Sequence, residues 1–297
     1  MKKNSTDNTP PLLLNYKKPF DFNHLIAFMK PRAMEGVEIV TDISYARTFR
    51  IDGTKGFFIV TDNPEQAALE LKIICSDTTC HTKIIKRVRK MFDLDTDFTL
   101  INQRFQKDKH LSKGMETGHV PRLPMAFYPF EFVVRAILGQ QISVKAATTL
   151  AARVARKAAL NSDDWFPPGL DYFFPDPSEI LKTGLDGLGI TKIRQATIKT
   201  AAQGILDQQF TLTPHQPFET FQKNFSALKG IGDWTVNYVA MRGLGMIDSF
   251  PATDLGIIKA LTSNENPPSK KQVMAMAESW RPYRAYATLC LWNVKHR

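Results

Sequence analysis

Residues 228–238, LKGIGDWTVNY, contain two glycines that can break one helix and begin another. Gly230 and Gly232 flank Ile231, and glycines this close together allow the backbone to turn sharply. The amide N–H groups at the start of the second helix are then unhindered, and such groups bind phosphate oxygens without recognising base sequence. An ordinary tight turn between two helices explains the same glycines, so the spacing alone leaves both interpretations open.

Aromatic and acidic residues accompany the glycine turn. Trp234 and Tyr238 are four positions apart, so they share one face of the helix that the turn begins. Asp254 comes twenty positions after Trp234 and follows the loop GLGMIDSFPAT. Because the apolar run LGII comes next, Asp254 is also a good helix N-cap, and this structural role is compatible with a chemical one.

The chain is cationic. Its 297 residues include 39 Lys and Arg against 29 Asp and Glu, which gives a net charge of +10 and a pI of about 9.4. This balance favours a polyanionic partner, because Lys and Arg neutralise phosphates and release their counterions. A basic enzyme with a well-solvated surface is an equally open alternative. With 43% hydrophobic residues, the chain can form a core.

Composition disfavours several other classes. No apolar stretch is long enough to span a membrane, so a soluble cytoplasmic protein is expected. Cys75, Cys80 and Cys290 are too few for a disulfide framework, and without a CxxC pair they predict neither a zinc site nor a four-cysteine iron–sulfur site. No glycine-rich nucleotide loop follows a strand, which disfavours a nucleotide-dependent metabolic enzyme.

The N-terminal part of the chain has alternating and amphipathic patterns. FDFNHLIAFMKPRA predicts a short helix stopped by Pro31. YARTFRIDGTKGFFIV predicts two strands joined at Asp52 and Gly53, and ALELKIICS predicts a third. HTKIIKRVRKMFDL predicts an amphipathic helix, and its basic residues between Lys83 and Lys90 are more simply a solvated face than a DNA contact.

From about residue 121 the pattern becomes helical. Helices are predicted over 130–138 and 143–159, with a break at Gly139, Gln140 and Gln141. Two further helices are expected to begin at the capping residues Asp176 and Thr191.

Four blocks of the sequence together resemble a known family. LKGIGDWTVNYVAMRGLG followed by FPATD resembles the helix-hairpin-helix, Gly/Pro-rich loop and aspartate signature of the base-excision DNA glycosylase superfamily. FEFVVRAILGQQISV, WRPYRAYATLCLW and SYARTF more narrowly resemble the bacterial 3-methyladenine DNA glycosylase II, or AlkA, type. The similarity runs from about residue 15 to the end, with the blocks in the same order.

The resemblance implies an α+β fold in three parts. After a flexible tail at 1–15, residues 16–99 would form an antiparallel sheet with helices, similar to half of a TATA-binding-protein-like fold. Residues 122–245 would form a central helical domain that contains the hairpin. Residues 100–121 and 246–297 would form a second helical part that completes the active-site cleft.

The resemblance also implies roles for individual residues. Asp254 would be the catalytic aspartate, which stabilises the oxocarbenium-like sugar and activates the attacking water. Aromatic faces favour positively charged alkylated purines. The residues expected in the base pocket are Trp234, Tyr238, Trp292, Phe28 and Leu255, although core packing is the favoured explanation for Phe28. The residues expected to bind DNA are Gly230, Ile231, Gly232, Asp233, Thr235, Gln140 and Gln141.

Ligands and departures from the family pattern follow from the same resemblance. The backbone carbonyls of Ser226, Leu228 and Ile231 would hold a monovalent cation, Na⁺ or K⁺, and no other cofactor is required. Gln141 stands where one AlkA-type enzyme has a leucine that fills the space of the flipped base. Leu255 stands where that enzyme has an aromatic residue, so the pocket's base preference stays open.

The expected activity is that of a monofunctional glycosylase acting on double-stranded DNA that contains alkylated bases. The branch that also cuts the backbone uses a lysine in the first turn of the second hairpin helix, where this chain has Trp234. The iron–sulfur branch needs a C-terminal cysteine cluster, and Cys290 is alone. The protein is expected to be a monomer associated with the nucleoid. Two alternatives stay open: a glycosylase of the same fold for other damaged bases, and a non-catalytic protein that recognises DNA damage.

Overall fold

An antiparallel sheet forms most of the N-terminal part of the molecule. The structure is a computed structural model that describes residues 10–115, 118–263 and 266–294. Within these ranges five strands pair in the order β1-β5-β4-β3-β2, and helices make up most of the chain after the sheet, which confirms the α+β prediction. The strands are β1 Leu12–Asn15, β2 Glu38–Val40, β3 Ser44–Ile51, β4 Thr54–Asn63 and β5 Ala68–Cys75.

The β3–β4 hairpin forms where the sequence predicts it. Ile51 pairs with Thr54, which leaves Asp52 and Gly53 as a two-residue loop. Both loop residues have positive φ, 51° and 82°. Aspartate and glycine tolerate this conformation, and such loops match the right-handed twist of the strands. The predicted turn is therefore confirmed.

The sequence predicts a flexible tail over 1–15 with a segment near Leu12 to Tyr16 that can become ordered, and that segment is ordered in the structure. Leu12–Asn15 form an edge strand that pairs with β5, and Leu14 is only 5% exposed while its neighbours face solvent. Four residues with one buried side chain are too short to show a period of two, so the strand exists because β5 offers a free edge. Residues 1–9 lie outside the described residues.

The helices account for the rest of the fold. The predicted break at Gly139 separates α4 from α5, and Ser143, Asp176 and Thr191 accept capping hydrogen bonds at the starts of α5, α6 and α7. The helices are α1 Phe22–Met29, α2 His81–Met91, α3 Thr99–Phe105, α4 Pro129–Leu138, α5 Val144–Ala158, α6 Pro177–Lys182, α7 Lys192–Leu206, α8 Phe218–Ser226, α9 Asp233–Val239, α10 Leu255–Leu261, α11 Lys270–Ala277 and α12 Arg284–Trp292.

Three large hydrophobic clusters follow this order of elements. The sheet packs one face against α1 and α2. Helices α4, α5 and α7 pack with α8 and α9 in a second cluster. Helix α3, the chain around 111–123, and helices α10 to α12 form a third. The other face of the sheet is covered by a smaller cluster around Phe166, Leu170 and Phe173. Tyr238 packs against the second cluster and Trp292 against the third, and these two rings meet between α9 and α12.

A buried charge network joins the sheet to α4. Arg47 Nη2 lies 2.6 Å from Glu131 Oε2, and Arg135 Nη1 lies 3.1 Å from Glu38 Oε2. Tyr45 donates its hydroxyl to Glu38 at 2.5 Å. Buried charges are stable only when they are paired and hydrogen-bonded in this way. The SYARTF block therefore contributes two buried residues that fix the sheet against the central helices.

Candidate active site

Asp254 lies at the start of α10 and caps that helix. Its Oδ1 accepts hydrogen bonds from the amides of Gly256 at 2.9 Å and Ile257 at 3.3 Å. The capping role that the sequence suggests is confirmed. The carboxylate is half-buried rather than enclosed, so a ligand can approach it.

Two indole groups from distant parts of the chain bind the same carboxylate. Trp234, in the first turn of α9, donates Nε1–H to Asp254 Oδ2 at 2.8 Å. Trp292, at the end of α12, donates Nε1–H to Oδ1 at 2.9 Å. Among the described residues Asp254 forms no ion pair, so its negative charge is oriented by neutral donors and left uncancelled.

Aromatic rings extend from this carboxylate. Trp234 stacks on Tyr238 with ring centroids 4.8 Å apart, and Tyr238 meets Trp292 edge-on at 6.2 Å. Phe28 lies nearly parallel to Trp292, with centroids 6.4 Å apart and planes 16° apart. The structure therefore brings Trp234, Tyr238, Trp292 and Phe28 together around Asp254.

Core packing was the favoured explanation for Phe28, and it was wrong. Phe28 is half-buried and belongs to none of the hydrophobic clusters of the described residues. The inward face of α1 carries Phe22, Leu25, Ile26 and Met29. Because each helix residue turns by about 100°, Phe28 points away from Met29 and toward α12.

A pocket of about 130 Å³ lies beside Phe28 and Trp292. The residues that line it are His24, Phe28, Arg32, Arg122, Pro124, Leu289, Trp292 and Asn293. Of the five residues expected in the pocket, Phe28 and Trp292 line it, whereas Trp234, Tyr238 and Leu255 do not. Leu255 is 80% exposed. Leu255 follows Asp254 at the first position of α10 and points outward, while the carboxylate turns back over the helix start.

Sequence reasoning missed two arginines that hold the aromatic residues. The guanidinium carbons of Arg32 and Arg242 lie 3.7 and 4.8 Å from the Phe28 ring centroid. Arg242 also donates to the Tyr238 hydroxyl at 2.9 Å and to the Pro124 carbonyl at 2.8 Å. Each arginine follows an aromatic residue by four positions, and this spacing was the signal available in the sequence.

The arginines also change the titration of the groups around the pocket. Burial acts to raise the pKa of Tyr238, but the charges of Arg242 and Arg32 outweigh it, so the pKa lies below its ordinary value. Burial, together with the charge of Arg242, lowers the pKa of Arg32 to about 10. The Tyr238 shift follows from two cations lying close to one phenol, whereas the Arg32 shift follows mainly from burial.

The glycine turn forms a helical hairpin between α8 and α9. Gly230 has φ +91°, and a Cβ there would lie 2.3 Å from Thr197 Oγ1, so only glycine fits. Gly232 is exposed and precedes α9 without a side-chain cap. The side chains of Ile231 and Thr235 are buried, at 7% and 2% exposure, so only their backbone atoms can meet a ligand.

Two of the predicted DNA-binding side chains are engaged within the protein. Asp233 pairs with Lys270 at 2.9 Å, and its Oδ1 accepts from Asn237 at 3.2 Å. Gln140 donates to the Gly230 carbonyl and to Thr235 Oγ1, both at 3.0 Å. Gln140 therefore ties the α4–α5 break to the hairpin. These bonds occupy the amide of Gln140 and the carboxylate of Asp233 within the protein.

Gln141 differs from its neighbour. It is exposed, and its φ of +55° lies in the left-handed region, which most side chains avoid. Arg194 of α7 donates to the carbonyl of Gln140 and so holds the loop from the other side. The fixed loop presents the Gln141 side chain outward beside the hairpin.

Similarity to characterised proteins identifies the family. DNA-3-methyladenine glycosylase 2 of Escherichia coli strain K12 is 31% identical over 285 residues, which cover 94% of this chain and 95% of that protein. This chain belongs to the AlkA family. Residues 11–128 also match the AlkA N-terminal domain model, which contains the whole sheet, α1, α2 and α3.

Two further proteins define how far the likeness of this AlkA-family chain extends. The probable bifunctional transcriptional activator/DNA repair enzyme AlkA of Mycobacterium tuberculosis H37Rv is 31% identical over 96% of this chain, which spans only 57% of that protein's length. A solved 3-methyladenine DNA-glycosylase from Archaeoglobus fulgidus superposes with a TM-score of 0.80 at 21% identity, over 96% of this chain and 97% of that one. That likeness shows that the AlkA-family chain has the same fold.

The described helices of this AlkA-family chain do not meet the requirements of a membrane-spanning helix. Among the described residues, no helix combines the length and apolar character that crossing a bilayer requires. Likewise, the described residues contain no cluster of three or more His, Cys, Asp or Glu side chains placed to bind a metal ion.

Proposed function

We propose that this protein is a monofunctional DNA glycosylase that removes alkylated purines, such as 3-methyladenine, from double-stranded DNA by hydrolysing the N-glycosidic bond. The observation that carries the proposal is the Asp254 carboxylate, which Trp234 and Trp292 orient beside an aromatic pocket. The name of the E. coli relative, DNA-3-methyladenine glycosylase 2, supports the same activity, and that of the M. tuberculosis relative supports DNA repair.

Base removal requires that the nucleotide leave the DNA stack, because its glycosidic bond is otherwise inaccessible to protein groups. Phe28, Tyr238 and Trp292 offer ring faces and edges for the flipped base. An aromatic face attracts a cationic alkylated purine by about 0.5–2 kcal/mol. Arg32 lines the pocket, and Arg242 lies 4.8 Å from the Phe28 ring centroid. Both cations oppose a full positive charge on the base, so stacking area matters as well as charge.

The carboxylate supplies the chemistry of bond cleavage. As the bond between C1′ and the base nitrogen breaks, its electron pair leaves with the base and positive charge develops on the sugar. Asp254 Oδ1 and Oδ2 stabilise that charge, and a water molecule adds its oxygen to C1′ while its proton passes to the carboxylate. The indole donors keep the carboxylate in one orientation during this change.

The same geometry supports hydrolysis without strand cleavage. A backbone-cleaving glycosylase needs an amine that forms a Schiff base with C1′. Trp234 occupies the first turn of α9, and Lys229 precedes the glycines with an exposed side chain. Cys290 is fully buried in the cluster around α12, and no iron–sulfur cluster is proposed.

The hairpin provides the site for a DNA phosphate and for a Na⁺ or K⁺ ion. Among the described residues, the carbonyls of Ser226 and Ile231 accept no hydrogen bond, and the Leu228 carbonyl accepts one from the Ile231 amide at 3.1 Å. Carbonyl oxygens with free lone pairs fit a hard cation. When bound, such an ion would add positive charge beside a DNA phosphate.

Gln141 is proposed as the group that fills the space left by the flipped base. It is exposed on a loop that Arg194 holds from one side and the hairpin holds from the other through Gln140. Its amide can occupy the gap and form hydrogen bonds with the unpaired partner base. The protein would act as a monomer on nucleoid DNA in the cytoplasm.

The proposal is tested with DNA treated with dimethyl sulfate and purified protein. Release of free 3-methyladenine, with no strand cleavage and no adduct trapped by borohydride, supports it. Tight binding without release of any base would favour damage recognition alone. Release only of other lesions from a wider substrate panel would move the activity to a different damaged base.

A further inference from the structure

The lining of the base pocket carries a polar pair that the catalytic account does not use. His24 and Phe28 are four positions apart on α1, so they share one helix face. Trp292 ends α12 and Asn293 follows it. All four residues line the pocket, so an aromatic pair and a polar pair share its lining.

The hydrogen bonds of this pair fix which atoms are donors. Asn293 Nδ2 lies 3.4 Å from the carbonyl of Gly114 and 3.0 Å from His24 Nε2. A carbonyl can only accept, so the amide nitrogen faces Gly114 and donates to His24 as well. His24 Nε2 is therefore the acceptor, and the imidazole proton resides on Nδ1.

Two polar atoms of the pair stay available to a ligand. No hydrogen bond from the described residues reaches Asn293 Oδ1 or His24 Nδ1. The two pocket-lining residues therefore offer one free acceptor and one free donor, and both residues are half-buried. A half-buried donor and acceptor without partners favour a ligand that presents the opposite pair.

We propose that His24 and Asn293 are specificity-determining residues that favour adenine-type over guanine-type bases in the pocket. The proposal rests on the proposed function. Adenine presents an N7 acceptor next to an N6 amino donor, whereas guanine presents two acceptors, N7 and O6. Asn293 Oδ1 accepts from the amino group and His24 Nδ1 donates to N7. With guanine, O6 meets Asn293 Oδ1, and in 7-methylguanine the methyl group also blocks N7.

The test measures 3-methyladenine and 7-methylguanine released from the same dimethyl-sulfate-treated DNA in single-turnover reactions. Their ratio does not depend on the fraction of folded enzyme, so poorly folding variants remain informative. Asn293→Leu and His24→Leu should each lower the ratio by about tenfold to a hundredfold, which is the discrimination of one well-paired base edge. His24→Gln keeps a donor in the pocket lining and should restore part of the ratio.

The matched control is Asn23→Leu, which removes an exposed amide next to His24 outside this pocket. It should leave the ratio unchanged. Binding to DNA with an abasic-site analogue should also be unchanged in every variant, because no base enters the pocket. If both leucine variants slow the release of 3-methyladenine and 7-methylguanine equally, His24 and Asn293 are only structural and the proposal is overturned. If the wild-type protein releases neither base, the proposed function itself fails.

Discussion

Trp234 donates its indole N–H to Asp254 at 2.8 Å across the Gly/Pro loop that separates them in the chain. This bond ties the start of one hairpin helix to the start of α10, so the glycine turn and the carboxylate are directly linked. The indole of Trp292 binds the other oxygen of the carboxylate from α12. The orientation of the Asp254 carboxylate thus depends on three separate segments.

Removing the indole N–H of Trp234 should lower the rate of base excision much more than it lowers the affinity for DNA. Trp234→Phe keeps a ring against Tyr238 and loses the hydrogen bond to a charged acceptor. We expect the single-turnover excision rate to fall by about tenfold or more, with little change in affinity for DNA containing an abasic-site analogue. Trp280→Phe is the matched control, because its indole donates to Asp108 at 2.8 Å away from the active site. An equal loss of excision in both variants would contradict this role.

Alanine substitutions at the two hairpin glycines should affect different properties of the protein. Gly230→Ala places a Cβ against Thr197 at φ +91°, so the melting temperature and DNA affinity should both fall. Gly232→Ala meets no atom within 4 Å, so the melting temperature should hold while DNA affinity drops as the methyl group obstructs the phosphate. Thermal unfolding and fluorescence anisotropy separate the two effects. Full DNA affinity in Gly232→Ala would exclude a phosphate contact at this turn.

The buried ion pair between Arg47 and Glu131 should contribute most of the stability of the contact between the sheet and α4. Glu131→Gln leaves Arg47 buried with a weakened partner set, and the free energy of unfolding should fall by about 3–5 kcal/mol in urea titrations. Asp186→Asn breaks an ion pair with Lys192 that lies in solvent, and it should produce no measurable change. If the free energy of unfolding falls by similar amounts in the two variants, burial of an ion pair does not determine the cost of breaking it.

Lowering the pH should destabilise the contact between the sheet and α4, because Glu38 becomes protonated and loses its ion pairs. Burial acts to raise its pKa, but Arg135 and Arg47 outweigh this, and the folded-state pKa lies below the ordinary value of 4.5. The stability it contributes is therefore present above pH 4.5 and is lost as the pH falls through the lowered pKa. The free energy of unfolding of the wild type should decline below that pH, and Glu38→Gln should show a shallower decline. If the stability of the wild type and of Glu38→Gln declines in parallel as the pH falls, Glu38 is not the group responsible.

The sequence predicted the parts of the site that depend on local chemistry. Gly230 and Asp254 lie in motifs whose backbone geometry is set within a few residues, and the predicted helices followed from caps and periodicity. Phe28 was expected in the pocket only from the family resemblance, and its own pattern favoured the core. Arg32 was not expected there, because the neighbours of both residues, Trp292 and Arg242, are distant in the chain. The ion pair of Asp233 with Lys270 depends on tertiary packing in the same way.

The central claim is that the Asp254 carboxylate performs the hydrolysis. Its most direct test is the single-turnover release of 3-methyladenine from methylated DNA by the wild type and Asp254→Asn. The substitution keeps the size and removes the charge, and one of the N–H donors around Asp254 loses its acceptor because an amide nitrogen only donates. The rate should therefore fall by at least about a hundredfold while abasic-analogue binding persists. A variant that releases the base at the wild-type rate would contradict the account.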